Sequence, residues 1–324
     1  MIRFTGTSAI QGGEDVRMDA LRSPAAATPA DPTVLDTPFS VFNIELTNRC
    51  PFRCVMCART GNMTRPQGLM DFGLFRKVID EYVLENPKQA AQADCWLHHF
   101  GESLVHPDFD RFVAYASARG VPAALSLNPL MLKRPTALAL LRARPAKLYL
   151  SIDGHDDASF ERIRGVADAY DASVRNLLDF LKLKKSFKSK VQVIVSMIDF
   201  GLNGDSIARK RDYWSKLDGV DAFFAKEFVT WDGNAPDVSI LAGDRPPQQD
   251  HVSCRFPWSR LTVTWDGDVV PCCYDYDKRY VLGNVAKQSL KEIWNGGPMR
   301  SLRREFLDNR VSNPLCQNCD YLRA

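Results

Sequence analysis

The run Asn48-Arg49-Cys50-Pro51-Phe52-Arg53-Cys54-Val55-Met56-Cys57 governs how this chain is read. It stands directly behind a strand-like stretch, 42–47, and its cysteines are separated by three residues and then by two. That spacing gathers three thiolates on one tight loop. Three are one too few for a structural zinc site, which takes four ligands, and one too few for a four-iron cluster closed by cysteine alone. A cluster held by three thiolates keeps one iron open to an exogenous molecule. The competing reading is the ordinary one: clustered cysteines in a non-secreted chain are most often zinc ligands. The rest of the sequence has to separate the two.

At 324 residues the chain is long enough for one large or two ordinary domains. A hydrophobic content of 45% with 25% charged residues is that of an ordinary globular protein. The net charge of +3 gives no electrostatic reason for a nucleic-acid or membrane partner. The basic run 182–190, Lys-Leu-Lys-Lys-Ser-Phe-Lys-Ser-Lys, reads as a solvated helix end. No stretch approaches the roughly 18 apolar residues of a membrane span, and the N-terminus lacks the apolar core of a signal peptide. A cytoplasmic location is the expectation. Nine cysteines would then lie in a reducing compartment, where disulfides are uncommon. Their odd count also argues against a complete disulfide framework, so metal or cluster ligation is the better account.

Residues 1–37 have no sustained apolar period and read as a mobile tail, with room for a short ordered piece. From residue 38, strand-like and helix-like segments alternate. Strands are expected at 42–47, 95–100, 123–127, 147–152, 191–198 and 222–228. Asp71 can cap a helix in which Phe72, Phe75, Val78, Ile79 and Tyr82 recur at helical spacing. Further helices are expected after Asp108, at 136–142, around Val174–Leu181 and at 206–217. Six such alternations imply an α/β fold with a parallel sheet, either doubly wound or a partial barrel. In both, chemistry lies at the carboxyl ends of the strands, where the cysteine loop falls.

The stretch 240–250 (Ile-Leu-Ala-Gly-Asp-Arg-Pro-Pro-Gln-Gln-Asp) breaks the composition and reads as a linker. Beyond it lie Cys254, Cys272, Cys273, Cys316 and Cys319. A hairpin through Asp266-Gly267, a helical core of Leu290, Ile293, Trp294, Leu302 and Phe306, and a terminal Cys-x-x-Cys can bring four thiolates together. A closed four-cysteine site suits structural zinc as well as a cluster.

The spacing Cys50-x3-Cys54-x2-Cys57 resembles the signature of the radical S-adenosylmethionine (radical SAM) enzymes. Further segments follow in that family's order. Gly101-Glu102-Ser103 resembles its Gly-Gly-Glu or Gly-Glu-Pro, with Ser103 in the Pro position. Ser126-Leu127-Asn128 resembles Thr-Asn-Gly, and Ser151-Ile152-Asp153-Gly154 resembles Ser-x-Asp-Gly. The resemblance selects a partial (β/α)6 barrel over residues 38–240. It implies a [4Fe–4S] cluster on Cys50, Cys54 and Cys57, with SAM on the open iron. It also implies SAM contacts from Gly101, Glu102 and Ser103 to the amino group and from Asn128 to the ribose. Ser151 and the planar fork of Arg164 would hold the carboxylate. The chemistry implied is a 5′-deoxyadenosyl radical that removes a hydrogen atom from an unactivated C–H bond, with the protein supplying binding and orientation.

Residues 241–324 resemble the twitch domain, a shortened relative of the SPASM domain. The likeness rests on Gly267-x4-Cys272 and on 282–295, with its Leu-Gly-Asn-Val and Ser-Leu-Lys-Glu-Ile-Trp-Asn. It implies one auxiliary [4Fe–4S] cluster on Cys254, Cys272, Cys316 and Cys319. Cys95 is left as a buried small hydrophobe. Cys273 either packs beside the cluster or gives a hydrogen atom to a substrate radical. Of His98 and His99, one is expected inward and the other outward. Glu227, Trp231 and Asp232 are further pocket candidates.

The implied activity resembles the twitch-domain dehydrogenases of aminoglycoside biosynthesis: oxidation of a carbinol to a ketone on a sugar-like or aminocyclitol small molecule. The auxiliary cluster would receive the electron, and a flavodoxin- or ferredoxin-type donor would supply the initiating one. The alternatives are a radical epimerase of a glycoside with Cys273 as hydrogen donor, a ribosomal-peptide maturase, and a non-catalytic zinc protein.

Overall fold

A computed structural model of the chain describes residues 31–200, 204–242 and 253–322. The expected tail up to residue 30, and the expected linker from residue 243, lie outside the described residues.

Strand β1 (Ser40–Ile44) leads into the cysteine loop and the short helix α1 (Ala58–Asn62). Helix α2 (Phe72–Glu85) begins where Asp71 accepts from the Leu74 N–H and buries Phe75, Val78, Ile79 and Tyr82. After α3 (Pro87–Gln92) come β2 (Cys95–Trp96), α4 (Phe109–Ala118), β3 (Ala123–Leu127), α5 (Arg134–Ala143) and β4 (Lys147–Ser151). Helices α6 (Asp157–Arg164) and α7 (Tyr170–Ser186) precede β5 (Gln192–Asp199), and α8 (Gly204–Ser215) precedes β6 (Ala222–Glu227). After α9 (Pro236–Ser239), the C-terminal part holds β7 (Arg260–Val263), β8 (Asp268–Val270), β9 (Gly283–Asn284), α10 (Leu290–Trp294) and α11 (Gly297–Leu307).

The strands form one open sheet in the order β6-β5-β4-β3-β2-β1-β7-β8-β9. The first six are parallel, β7 runs parallel to β1, and β8 and β9 are antiparallel additions. The sheet therefore passes from the barrel strands into the C-terminal cysteine segment without a break.

Strand alternation assigns the two faces. Val41, Cys95, Leu97, Leu125, Leu148, Leu150, Val193 and Val195 join the helices in the main core. Phe42, Trp96, Ala124, Tyr149, Ile194 and Phe224 form a separate cluster on the other face. One face is thus covered by helices and the other encloses a lumen, as in a partial barrel rather than a doubly wound sheet. Cys95 is fully buried on the helix side, as its hydrophobic neighbours require.

Two expectations change. Strand 95–100 shortens to Cys95–Trp96 because side chains replace the strand neighbour. The Ser103 hydroxyl donates to the Leu97 carbonyl at 2.6 Å, Asn43 Nδ2 donates to the His98 carbonyl at 2.8 Å, and the Phe100 N–H reaches Glu45 Oε1 at 3.2 Å. These backbone groups remain satisfied without a ladder. The last residues of the expected tail are also anchored. Asp31 pairs with Arg300 and Arg304, and Arg303 donates to the Thr33 carbonyl at 2.7 Å; just beyond the tail, Phe39 packs on Trp294 with ring centroids 5.0 Å apart.

A buried ion pair ties these parts together. Both Arg65 terminal nitrogens meet the Glu45 carboxylate, at 2.7 and 2.5 Å, and Arg65 Nε donates to the Tyr276 carbonyl at 2.6 Å. Glu45 Oε2 also accepts from the Trp265 N–H at 3.3 Å. Burial pushes the Glu45 pKa up, but the Arg65 hydrogen bonds and charge outweigh it and hold the carboxyl below its ordinary value. Removing one partner of such a pair strands a buried charge at a cost of about 3–5 kcal/mol. Arg65→Ala is expected to lose about that much stability at neutral pH, read from the urea midpoint. Because the native carboxyl is depressed, its contribution is present above the ordinary carboxylate pKa and is lost as pH falls. The gap between wild type and variant should therefore narrow on acidification; a gap that stays constant with pH would contradict this account.

Candidate cluster and cofactor site

The cysteine loop is held from behind by α6. The Arg53 N–H donates to the Arg164 carbonyl at 3.1 Å, and the Val55 N–H to the Ile163 carbonyl at 3.0 Å. Cys57 occupies the N-cap of α1 and its N–H donates to the Cys54 carbonyl at 3.1 Å. Cys50, Cys54 and Cys57 share one apolar cluster with Phe52, Met56 and Ile163. Burial pushes the Cys50 thiol up to about 12, and burial with the neighbouring Cys54 pushes Cys57 up to about 11. Thiols so placed ionise readily only beside a positive centre. This donor set fits an iron–sulfur cluster held by three cysteines.

The expected SAM-contact segments converge on the same end of the barrel. Gly101 is pressed against the loop: a Cβ there would lie 1.9 Å from the Thr47 carbonyl oxygen. The Glu102 N–H donates to the Arg49 carbonyl at 3.0 Å. The Glu102 carboxyl receives the Asn128 N–H at 2.9 Å and the Leu104 N–H at 3.2 Å, and burial pushes its pKa up to about 7. Asn128 Oδ1 accepts from the Leu130 N–H, which leaves its buried Nδ2 with no partner. Ser151 Oγ lies 3.2 Å from Ser196 Oγ. Arg164 pairs with the buried Asp153 carboxylate and places Nη1 3.5 Å from Cys54 Sγ, while its buried Nε is unpartnered. Two orphaned polar atoms, Asn128 Nδ2 and Arg164 Nε, beside a buried carboxyl whose pKa is raised suit a polar cofactor. Ser103 stands apart, because its hydroxyl is spent on the Leu97 carbonyl.

The second cysteine set also converges. Cys254, Cys272 and Cys316 share an apolar cluster with Phe256, Leu315, Tyr274, Tyr280 and Tyr321. The Cys319 N–H closes on the Cys316 carbonyl at 3.2 Å. Burial pushes Cys254 and Cys319 each up to about 12, and Cys272 and Cys316 well above the ordinary thiol range. Cys254 adds to the shift at both Cys316 and Cys319. Four thiols that oppose one another's ionisation suit a shared cationic core. Among the described residues, no three His, Cys, Asp or Glu side chains close tightly enough to hold a single metal ion.

Cys273 lies beside this set, its thiol pushed up to about 11 by burial and drawn down by Arg260. Its carbonyl accepts from His99 Nε2 at 3.0 Å, since a carbonyl can only accept. His99 Nδ1 lies 3.6 Å from Glu45, and burial pulls the ring down to about 4. His98 is likewise withdrawn, at about 3, and its Nδ1 accepts from the Ser126 N–H at 3.3 Å. The expected inward–outward split of this pair does not occur, because β2 has already ended and the period of two no longer applies.

Glu227 is exposed, whereas Trp231 and Asp232 sit between the two cysteine segments. Trp231 packs on Phe100 with ring centroids 4.9 Å apart and donates to the Met56 carbonyl, and Asp232 pairs with Arg279 at 2.8 Å. The sequence reading quoted Asp153 within its motif without foreseeing its pairing with Arg164, and it missed Ser196 and Lys226. Alternation along β5 and β6 is the signal that would have found the last two.

Residues 44–208 match the model of the Radical SAM superfamily, and residues 254–320 match that of the SPASM iron–sulfur cluster-binding domain. The chain belongs to the radical SAM superfamily. It is a radical SAM enzyme whose cofactors are SAM, a [4Fe–4S] cluster and auxiliary iron–sulfur in the SPASM domain. It is 22% identical to the S-adenosyl-L-methionine-dependent 2-deoxy-scyllo-inosamine dehydrogenase of Niallia circulans, over 88% of this chain and 94% of that one. It is 25% identical to the PqqA peptide cyclase of Gluconobacter oxydans, over 80% and 77%. Among solved structures, BtrN in complex with AdoMet and 2-DOIA superposes with a TM-score of 0.61 at 19% identity, over 88% and 94%. Streptococcus suis SuiB bound to the precursor peptide SuiA superposes with a TM-score of 0.66 at 14% identity, over 90% and 71%. These likenesses establish the fold. No described helix is long and apolar enough to cross a membrane.

Two measurements check the site. Cys54→Ala is expected to abolish SAM cleavage while the auxiliary cluster signal persists in electron paramagnetic resonance, and Cys316→Ala is expected to remove that auxiliary signal; zinc without labile sulfide in the reconstituted protein would contradict both. Gly101→Ala should push the loop off Thr47, costing about 1–3 kcal/mol by overpacking, and weaken SAM binding measured by titration.

Proposed function

We propose that this enzyme oxidises a carbinol of a sugar-like or aminocyclitol small molecule to a ketone. The observation that carries the reading is the link between the two cysteine segments. His99 donates to the Cys273 carbonyl from the end of β2, and β7 pairs directly with β1. An electron acceptor on the C-terminal segment would thus stand beside the lumen. Similarity to a dehydrogenase along 94% of its length supports the same reading.

The barrel, 38–240, would hold the first cluster through Cys50, Cys54 and Cys57, and the domain at 241–324 the auxiliary cluster through Cys254, Cys272, Cys316 and Cys319. When bound, these groups would supply removal of the carbinol hydrogen atom and acceptance of the electron that leaves as the ketone forms, the hydroxyl proton being lost to solvent. The chain's own residues bind and orient. Glu102 receives the SAM amino group, Asn128 the ribose, and Ser151 with Arg164 the carboxylate, while Gly101 fixes the loop that carries Glu102. Ser103 serves this loop as a brace. A flavodoxin- or ferredoxin-type protein is the proposed electron donor.

Anaerobic incubation with SAM, reductant and candidate glycosides or aminocyclitols in D2O tests this. The expected product is lighter by two hydrogens, with one 5′-deoxyadenosine formed per turnover. One deuterium with inverted configuration, stopped by Cys273→Ala, would replace dehydrogenation by epimerisation. Turnover only on a peptide would favour the reading that the peptide cyclases suggest.

A further inference from the structure

The lumen carries a charge that carbinol oxidation does not require. Its apolar part is aromatic, built by Phe42, Trp96, Tyr149 and Phe224 around Ala124 and Ile194. Toward the carboxyl ends of the strands the same face turns polar. Ser126 follows Ala124, Ser151 follows Tyr149 and Ser196 follows Ile194, each at the lumen-facing interval of two. Lys226 follows Phe224 in the same way, opposite Ile198 in the register.

The Lys226 ammonium lies over the Tyr149 ring, 4.6 Å from its centroid. Among the described residues it has no carboxylate partner. His98 beyond β2, Tyr149 from β4, Asp153 beyond β4 and Arg164 from α6 are the titratable groups that act on it or face it. None neutralises it. His98 is uncharged at neutral pH. Asp153 is committed to Arg164 and to the Ile198 N–H at 2.7 Å. The neighbouring Glu227 is exposed on the opposite side of β6. Arg260 stacks on Phe42 of the same aromatic face and on Phe256, beside Cys254 and Cys273, and is a second cation at the edge of the lumen. Burial pulls the Lys226 pKa down to about 8, and the Arg164 charge adds to this while Asp153 opposes it. Withdrawing an ammonium from water against an aromatic face alone is costly, and a ligand charge would offset that cost.

We propose that the lumen takes a polyhydroxylated substrate through an anionic substituent, a carboxylate or a phosphate, and that Lys226 binds it. The proposal rests on the carbinol-oxidation reading and narrows it from aminocyclitols to anionic sugars. The aromatic walls suit the C–H faces of a sugar ring, and Ser126 suits a hydroxyl. A protonated amine would meet a half-buried, unneutralised ammonium.

The test is equilibrium binding to the reconstituted holoenzyme with SAM and without reductant, using glucose, glucosamine, glucuronate and glucose 6-phosphate. At least one anionic probe should bind tenfold or more tightly than glucose or glucosamine. The preferred probe tells carboxylate from phosphate. Lys226→Gln should abolish the preference, Lys226→Arg should keep most of it, and neither should change SAM affinity. In the wild type the preference should decline as pH rises above about 8, as the ammonium is lost. Three results overturn the proposal: similar or no binding of all four probes, a preference that survives in Lys226→Gln, or a loss in that variant that falls on SAM instead. No turnover is needed. Failure here therefore leaves ketone formation standing, and absence of ketone with the anion preference intact rejects only the oxidation reading.

Discussion

The carboxylate of Glu45 is the point on which the two halves of the molecule are hung. It is fully buried just past the end of β1, where an ionised carboxyl cannot persist without donors. Donors arrive from three directions: Arg65 behind the cysteine loop, the Phe100 N–H before the SAM loop, and the Trp265 N–H from the hairpin turn. Arg65 in turn takes the Tyr276 carbonyl. One desolvated charge thus sets the spacing between the loop of the first three cysteines, the SAM loop and the C-terminal cysteine segment.

The second constraint is close approach of backbones. Gly101 meets the Thr47 carbonyl at a distance that no side chain permits. The strand that delivers Gly101 ends early, because Ser103, Asn43 and Glu45 satisfy backbone groups that a ladder would otherwise claim. Irregular backbone at the carboxyl end of β2 is therefore built in, and it frees Glu102 to join the Asn128 N–H at the end of β3.

Much of this was legible in the sequence for local reasons. The periodicity of α2, the Asp71 cap and the strands at 123–127 and 147–152 follow from nearest-neighbour chemistry, and they stand where the pattern predicts. The cysteine spacing and the ordered segments behind it identify the superfamily. The directions of His98 and His99 were not legible, since they depend on where β2 stops, and that depends on Ser103 and Glu45 folding back from other parts of the chain. The reach of residues 31–37 onto α11 was hidden likewise, because Asp31 and Thr33 find their partners more than 260 residues away.

By itself, then, the sequence determined the initiating chemistry. Three cysteines at fixed spacing are a local property, and no tertiary contact is needed to see that they can hold a cluster with one open site. Tertiary structure decided what stands around that site. It continued the barrel sheet into the auxiliary segment through β1 and β7. It also brought Lys226 over Tyr149 without a carboxylate to pair with. Such relations follow from strand register and buried charge, which act between residues far apart in the chain and leave no motif behind.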